Sequence, residues 1–320
     1  MVCAIVKSYH TIMGATTKIK WADSTWNPWS GCTKVSPGCA NCYAETLSKN
    51  KFFGGGKTIG KWGKGAPRKL HESAFKMAFS LNRKPWICDE CGYAKSYHDS
   101  GQYCNAKNKN GELCKCTSQH RRRIFSLSLG DWLDEEVPIE WVARMLDTIR
   151  QCDQVTWILC SKRWENFMLR VGNLSASLTE QGGDFYEWLH IWVSHNSPPK
   201  NIIGLCSVEN QERADNRIPQ FLTVPLACHG LSLEPLLSSV GFGCDGALFK
   251  GIDWSIVGCE SGSKRRYQIE YEESARSIIR QGQSAQIAVF HKQMPINGSV
   301  SHEPTEWPED LRVQQWPKGF

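Results

Sequence analysis

Short apolar runs alternate along this chain with stretches of helical periodicity. The strand-like runs fall at residues 123–129, 155–160, 201–207, 227–233, 254–258 and 286–290. Each is apolar at nearly every position, as strands buried on both faces are. Ile139, Val142, Met145, Leu146 and Ile149 fall on one helical face, and Pro138 before them suits a first helical position. Ile269, Ala275, Ile278 and Ile279 mark a weaker helix ahead of the last run. This alternation predicts βα units and a mainly parallel α/β sheet, either open or closing partly into a barrel. Two segments break the pattern. Residues 49–69 are rich in Gly and Lys and read as a mobile loop, and residues 172–199 carry no assignable pattern.

Each run leads into polar residues: Ser128 and Asp131, Lys162 and Arg163, Ser207 with Glu209 and Asn210, Glu234, Glu260, and Lys292. Parallel strands bring their C-terminal ends to one edge, so these groups predict a single converging site. Cys259, between Gly258 and Glu260, lies at the same edge and is a candidate hydrogen-atom donor. Cys160, Cys206 and Cys228 lie within strands and read as small buried hydrophobes.

With 320 residues, 41% hydrophobic and 22% charged, the composition is that of a globular protein with room for one large domain and an insert. A net charge of +6 permits an acidic partner such as nucleic acid. Fifteen cysteines follow no N-terminal apolar run of signal-peptide length, and no stretch reaches the ~20 apolar residues of a membrane span. A reducing cytoplasm and metal binding are therefore expected in place of a disulfide framework. Among the fourteen tryptophans, Trp26, Trp29, Trp62, Trp86 and Trp132 fall in loops, where a ring can stack on a flat ligand, although packing is the commoner role.

The cysteines form two groups. Cys32, Cys39 and Cys42 share one loop with Gly31, Pro37 and Gly38. Three thiolates can hold a cubic iron–sulfur cluster by three irons and leave the fourth open. The alternative is a structural zinc completed by a residue such as His71. The second group is Cys88 and Cys91, then Cys104, Cys114 and Cys116. Its spacing predicts a knuckle around a metal, either zinc or an auxiliary iron–sulfur cluster. Cys88, Cys91 and Cys104 are the first three ligands, the fourth is Cys114 or Cys116, and His98 and His120 stand behind them. The basic run from His120 to Arg123 offers a contact to a phosphate backbone.

Residues 21–28, the Cys32/Cys39/Cys42 loop through Glu45, and residues 207–211, 231–237 and 256–262 resemble a phage-encoded family grouped with the radical S-adenosylmethionine (SAM) enzymes. The first gap between the loop cysteines is six residues, where three is usual in that superfamily; the Cys-x2-Cys half is kept. The resemblance implies a partial (β/α) barrel over residues 17–85 and 120–300, a Cys-rich metal-binding insert at 86–119 and a C-terminal tail at 301–320. It implies a [4Fe–4S] cluster whose open iron chelates SAM, a reducing electron donor, and a 5′-deoxyadenosyl radical. By position, Tyr43, Ser128, Asp131, Ser207, Glu209, Asn210 and Gly258 would contact the cofactor. Glu234, Glu260, Lys162, Lys292 and Cys259 remain for the substrate. The implied substrate is an amino-acid-modified thymine in phage DNA, rearranged by an isomerase of thymidine hypermodification in the cytoplasm of the infected bacterial host. Such a base would be flipped from the duplex. The competing expectations are a zinc-containing nucleic-acid-binding protein without radical chemistry, and a radical SAM enzyme acting on peptide or tRNA.

Overall fold

A computed structural model describes residues 14–49, 59–95, 104, 106–107, 111–243, 247–262, 264–266 and 270–320. Strand β1 (Ser24–Trp26) is followed by β2 (Trp29–Ser30), α1 (Tyr43–Ser48), β3 (Lys69–Leu70) and α2 (Glu72–Asn82). The Cys-rich insert contributes a small antiparallel sheet of β4 (Trp86–Cys88), β5 (Ala94–Lys95) and β6 (Gln119–Arg121). Then come β7 (Arg123–Ser126), α3 (Ile139–Gln151), β8 (Thr156–Ser161), α4 (Asn173–Ser177), α5 (Asp184–Ser194), β9 (Ile202–Ser207), α6 (Gln211–Phe221) and β10 (Cys228–Leu233). The chain ends with β11 (Trp254–Gly258), α7 (Tyr271–Ser284), β12 (Ala288–Ile296) and β13 (Ser299–Ser301). The main sheet runs β1-β7-β8-β9-β10-β11-β12-β13, and every pairing is parallel except the terminal β12–β13 hairpin. It curls into a half-barrel with helices outside, the mixed α/β architecture that the alternating pattern predicts.

Strand alternation divides the side chains between two cores. Outward residues such as Ile124, Trp157, Leu159, Ile202 and Val257 pack with the helices. Inward residues Ile158, Ile203, Leu205, Cys228, Trp254, Ile256 and Phe290 form a second core with Trp21 inside the curl. Register keeps these layers aligned: Phe125 faces Ile158, Ile158 faces Ile203, and Ile256 faces Phe290. The middle of the half-barrel is thus a packed plug, which separates its C-terminal mouth from the opposite end of the strands. Burying each large apolar side chain of this kind contributes about 1.5–3 kcal/mol.

Several elements depart from the expected pattern. Pro138 is the N-cap of α3, one position before the first helical turn, and Ile139 is exposed while Val142, Met145, Leu146 and Ile149 are buried. In α7, Ala275, Ile278 and Ile279 face the core; Ile269 lies outside the described residues. The last strand continues through His291, Lys292 and Gln293, because an antiparallel partner in β13 and backbone bonds from the C-terminal stretch extend its ladder. That stretch is fixed to the barrel: His291 N–H donates to Val313 O at 2.8 Å, Gln315 N–H donates to Val289 O at 2.9 Å, and Trp307 and Leu311 are buried. Residues 172–199 hold α4 and α5, whose Leu174, Leu189 and Trp192 join the outer core.

The Gly- and Lys-rich loop is only partly described. Over residues 59–69 it lies against the cysteine loop, with Gly60 N–H donating to Ser30 Oγ at 2.8 Å and Gly63 N–H donating to Cys32 O at 3.0 Å. This half is a wall of the site, not a mobile linker. Trp26, Trp29 and Trp132 are fully buried and offer no stacking face to a ligand.

Candidate functional site

The cysteine loop follows β1 and the short β2, at the edge where all seven parallel strands end. Cys32 is held from two sides. Arg163, just beyond β8, places Nη1 and Nη2 at 3.8 and 3.9 Å from the Cys32 Sγ. The same guanidinium donates to Thr33 O and forms a 2.7 Å ion pair with Asp131. On the other side, Arg68 bonds Asp134 at 2.8 Å and Thr33 Oγ1 at 2.5 Å. Cys42 is the N-cap residue of α1, where the Ala44 and Glu45 N–H groups favour its thiolate. Cys39 lies 3.8 Å from Ser36 Oγ. Burial pushes the Cys32 thiol up to about 12, with Asp131 adding and Arg163 opposing. Burial raises Cys42 as well, against those two N–H groups.

Glu209 ties the middle of this loop to the barrel. It accepts from Gly38 N–H at 3.1 Å and from Arg217 Nη1 at 2.8 Å, and is fully buried. Burial alone would raise its pKa; Lys162 and Arg217 overcome that and hold the carboxyl below its ordinary value. A Cβ at Gly38 would stand 3.0 Å from Glu209 Cδ, so this close approach needs glycine. Beside it, Lys162 Nζ donates to Ser207 Oγ at 2.7 Å. Burial works against the Lys162 charge, but Cys39, Cys160 and Glu209 more than offset it and raise its pKa.

Tyr43 and Ser128 meet on the other flank, where the phenol donates to Ser128 O at 2.6 Å. They line a cavity of about 920 Å³ with Asn27, Asn41, Cys42 and Lys264. That volume lies in the range of cofactor and small-ligand sites. Further along the mouth, Glu234 and Lys292 form an ion pair above β11. Gly258 lies beside Glu234: a Cβ there would meet Glu234 Cγ and Gln293 Cγ, each at 3.4 Å.

Four expected ligand contacts are otherwise engaged. The Asp131 carboxylate accepts from Arg163, Ser161 Oγ, Lys162 N–H and Leu133 N–H, so it braces the loop from beneath. Asn210 caps α6 by accepting from Arg213 N–H at 3.0 Å. Glu260 is bound by Arg266 and by Asn41 Nδ2 at 3.1 Å, which secures the cysteine loop to the turn after β11. Cys259 sits with Tyr271 in the outer core, because the inward position belongs to its neighbour Gly258. Cys160, two residues before Lys162, faces the interior and is partly accessible, whereas Cys228 is buried within the plug. The inward register of Cys160 was readable from that two-residue period, but only the sheet showed which face is the lumen.

In the insert, the sulfurs of Cys88, Cys91, Cys104 and Cys114 lie within 4.8 Å of one another and could hold a metal ion. The Cys88–Cys114 and Cys91–Cys104 separations are 3.8 and 3.5 Å. Gly92, at φ +68°, closes the first knuckle by donating to Cys88 O at 2.9 Å. Burial would raise the Cys88 thiol, but N–H groups of Cys91 and Glu90 and the adjacent thiols bring it down to about 6. The fourth position is taken by Cys114; Cys116 is buried alongside and its Sγ bonds Ser118 O at 3.5 Å. His98 lies outside the described residues. His120 bridges Asp89 and Asp23 at 2.6 and 3.1 Å. The basic run is mostly internal: Arg122 and Arg123 are buried, Arg123 stacks 4.5 Å from the Trp316 ring, and Arg121 is the exposed member.

Among the described residues, no other group of three Cys, His or acidic side chains gathers within 4.8 Å. His71 Nε2 is bonded to Ser30 Oγ at 2.9 Å. All described cysteines are free, and no described helix is long and apolar enough to cross a membrane.

Residues 16–306 match the model of a family described as a protein of unknown function (DUF5131), and the chain belongs to that family. No curated protein and no solved structure matches it.

Proposed function

We propose that this DUF5131 protein is a radical SAM enzyme that binds a [4Fe–4S] cluster through Cys32, Cys39 and Cys42. The observation that carries this reading is the position of those thiols, on the loop after β1 and β2 at the C-terminal mouth of a parallel half-barrel. The donor set fits the cluster. Three thiols on one loop suit ligands of three irons, and N–H groups of Arg163, Ala44 and Glu45 favour the thiolate at two of them. When bound, the cluster and SAM would supply one-electron cleavage of a C–S bond and a carbon radical able to take a hydrogen from substrate.

The protein's own tasks are placement and exclusion of water. The inward core closes the middle of the half-barrel. Lys162, with Ser207, offers a cation to an anionic group beside the loop. The Glu234–Lys292 pair can separate to meet an ammonium and a carboxylate. Those two charges are what an amino-acid-modified base presents, which favours a modified thymine in DNA as substrate and an isomerisation as reaction. In the insert, zinc is the assigned metal: four sulfurs on a tetrahedron at 2.3 Å stand about 3.8 Å apart, close to the separations of 3.8 and 3.5 Å found here.

Anaerobic reconstitution with iron and sulfide, then dithionite and SAM, tests the reading. Formation of 5′-deoxyadenosine that Cys32→Ala abolishes supports it, and a colourless, zinc-only protein refutes it. Glycine-modified phage DNA, an unmodified duplex, peptide and tRNA then form the substrate panel.

A further inference from the structure

Arg163 is the one arginine whose guanidinium is directed at a sulfur of the three-cysteine loop among the described contacts. Both terminal nitrogens approach Cys32 Sγ, at 3.8 and 3.9 Å, inside the usual range of an N–H···S contact. The group is fixed. It is 4% exposed, and its remaining donors go to Asp131 Oδ2 at 2.7 Å and to Thr33 O. Asp131 is itself held by Ser161 Oγ, Lys162 N–H and Leu133 N–H. The rotamer-rich arginine therefore has one available orientation, with its positive fork on the sulfur.

Cys39 and Cys42 differ. Their hydrogen-bonding neighbours are the Ser36 hydroxyl and the amides of α1, which are neutral, and the Lys162 ammonium acts on both through space. The three thiolates are thus unequal, and among the described contacts Cys32 is the one that receives a guanidinium N–H. Hydrogen bonds to sulfur and net local charge are the levers by which a protein sets an iron–sulfur potential. A buried cation stabilises the reduced, more negative form, and its effect is little screened by water.

We propose that Arg163 is a positioning residue that donates to the Cys32 thiolate and raises the reduction potential of the cluster held there. This rests on the cluster reading above. Arg163 Nη1 is shared between Cys32 Sγ and Asp131 Oδ2, and the carboxylate opposes the cation at the sulfur; removing Arg163 would leave that negative charge on Cys32 without its counter-ion. Arg163 orients the ligand and tunes it without touching substrate.

The test is an EPR-monitored redox titration of the full reconstituted chain, following the signal that Cys39→Ala removes. Arg163→Gln is expected to make reduction about tenfold less favourable, which for one electron is about 59 mV more negative. Arg163→Lys, which keeps the charge but not the fork, should recover part of the shift. An unchanged potential in Arg163→Gln with a normal iron content overturns the proposal and leaves the cluster reading intact. Should Arg163→Gln fail to load, Arg163→Lys decides, since a potential equal to the unaltered protein's overturns the role. An unaltered chain that takes up no cluster overturns both readings at once.

Discussion

Gly38 and Glu209 show how a single missing side chain sets the loop. Glu209 reaches the backbone between Cys32 and Cys39 only because nothing projects from Gly38. Gly38→Ala should force the loop off the carboxylate at a cost of about 1–3 kcal/mol, read as a lower urea midpoint and reduced iron uptake. Glu209→Ala goes further. It strands Arg217 in a buried site, where breaking a pair costs about 3–5 kcal/mol. The same pair gives a pH dependence. A carboxyl whose folded pKa is depressed stabilises fully above its ordinary value of about 4.3, and the contribution is lost as pH falls from there through the folded value. Urea midpoints measured downward from pH 5 should therefore fall more steeply for the unaltered chain than for Glu209→Gln.

At the scale of elements, the insert and the barrel rest on different forces. The insert joins three strands of two or three residues and a sulfur cluster, with little apolar core of its own. A metal held by the four sulfurs would supply folding energy that this small core does not. Cys104→Ser, or a strong chelator, should expose residues 86–121 to protease while the main melting transition stays in place; loss of both together would show that the insert is integral to the barrel. The coupling between the units is visible in His120, which links Asp89 in the first knuckle to Asp23 just before β1.

Over the whole molecule, the half-barrel separates stability from chemistry along its axis. Its plug is apolar and its mouth is ionic. Trp254→Ala, in the plug, should cost about 3–5 kcal/mol in thermal or urea unfolding, since it opens a cavity among Trp21, Ile256 and their neighbours. Cys39→Ala, at the mouth, should leave that transition unmoved and abolish the visible absorbance of the reconstituted protein and its cleavage of SAM. Retained SAM cleavage in Cys39→Ala would sink the functional assignment.

The alternation of apolar runs and helical faces was sufficient to place β7, β8, β9, β10, β11, α3 and most of α7, because both periods are local properties of the chain. Cysteine spacing likewise marked both sulfur groups. The short β1, with only three residues, carries no period of its own and is recognisable only by its pairing with β7. Which side of each strand faces the lumen depends on the direction of curl, so the sequence read Cys160 as a buried hydrophobe and Cys259 as the thiol at the site, whereas the sheet turns Cys160 inward and Cys259 outward. The choice of Cys114 over Cys116 needed the folded insert, since both pack against Cys88 and Cys104 and only Cys114 Sγ joins the four-sulfur group. Asp131, Asn210 and Glu260 have the composition of ligands, yet their oxygens are taken by Arg163, by the start of α6 and by Arg266. Residue type along the chain determined which chemistry was possible here. Tertiary structure decided which groups were left to perform it, because a buried polar atom is claimed by whichever partner folding brings within hydrogen-bond reach.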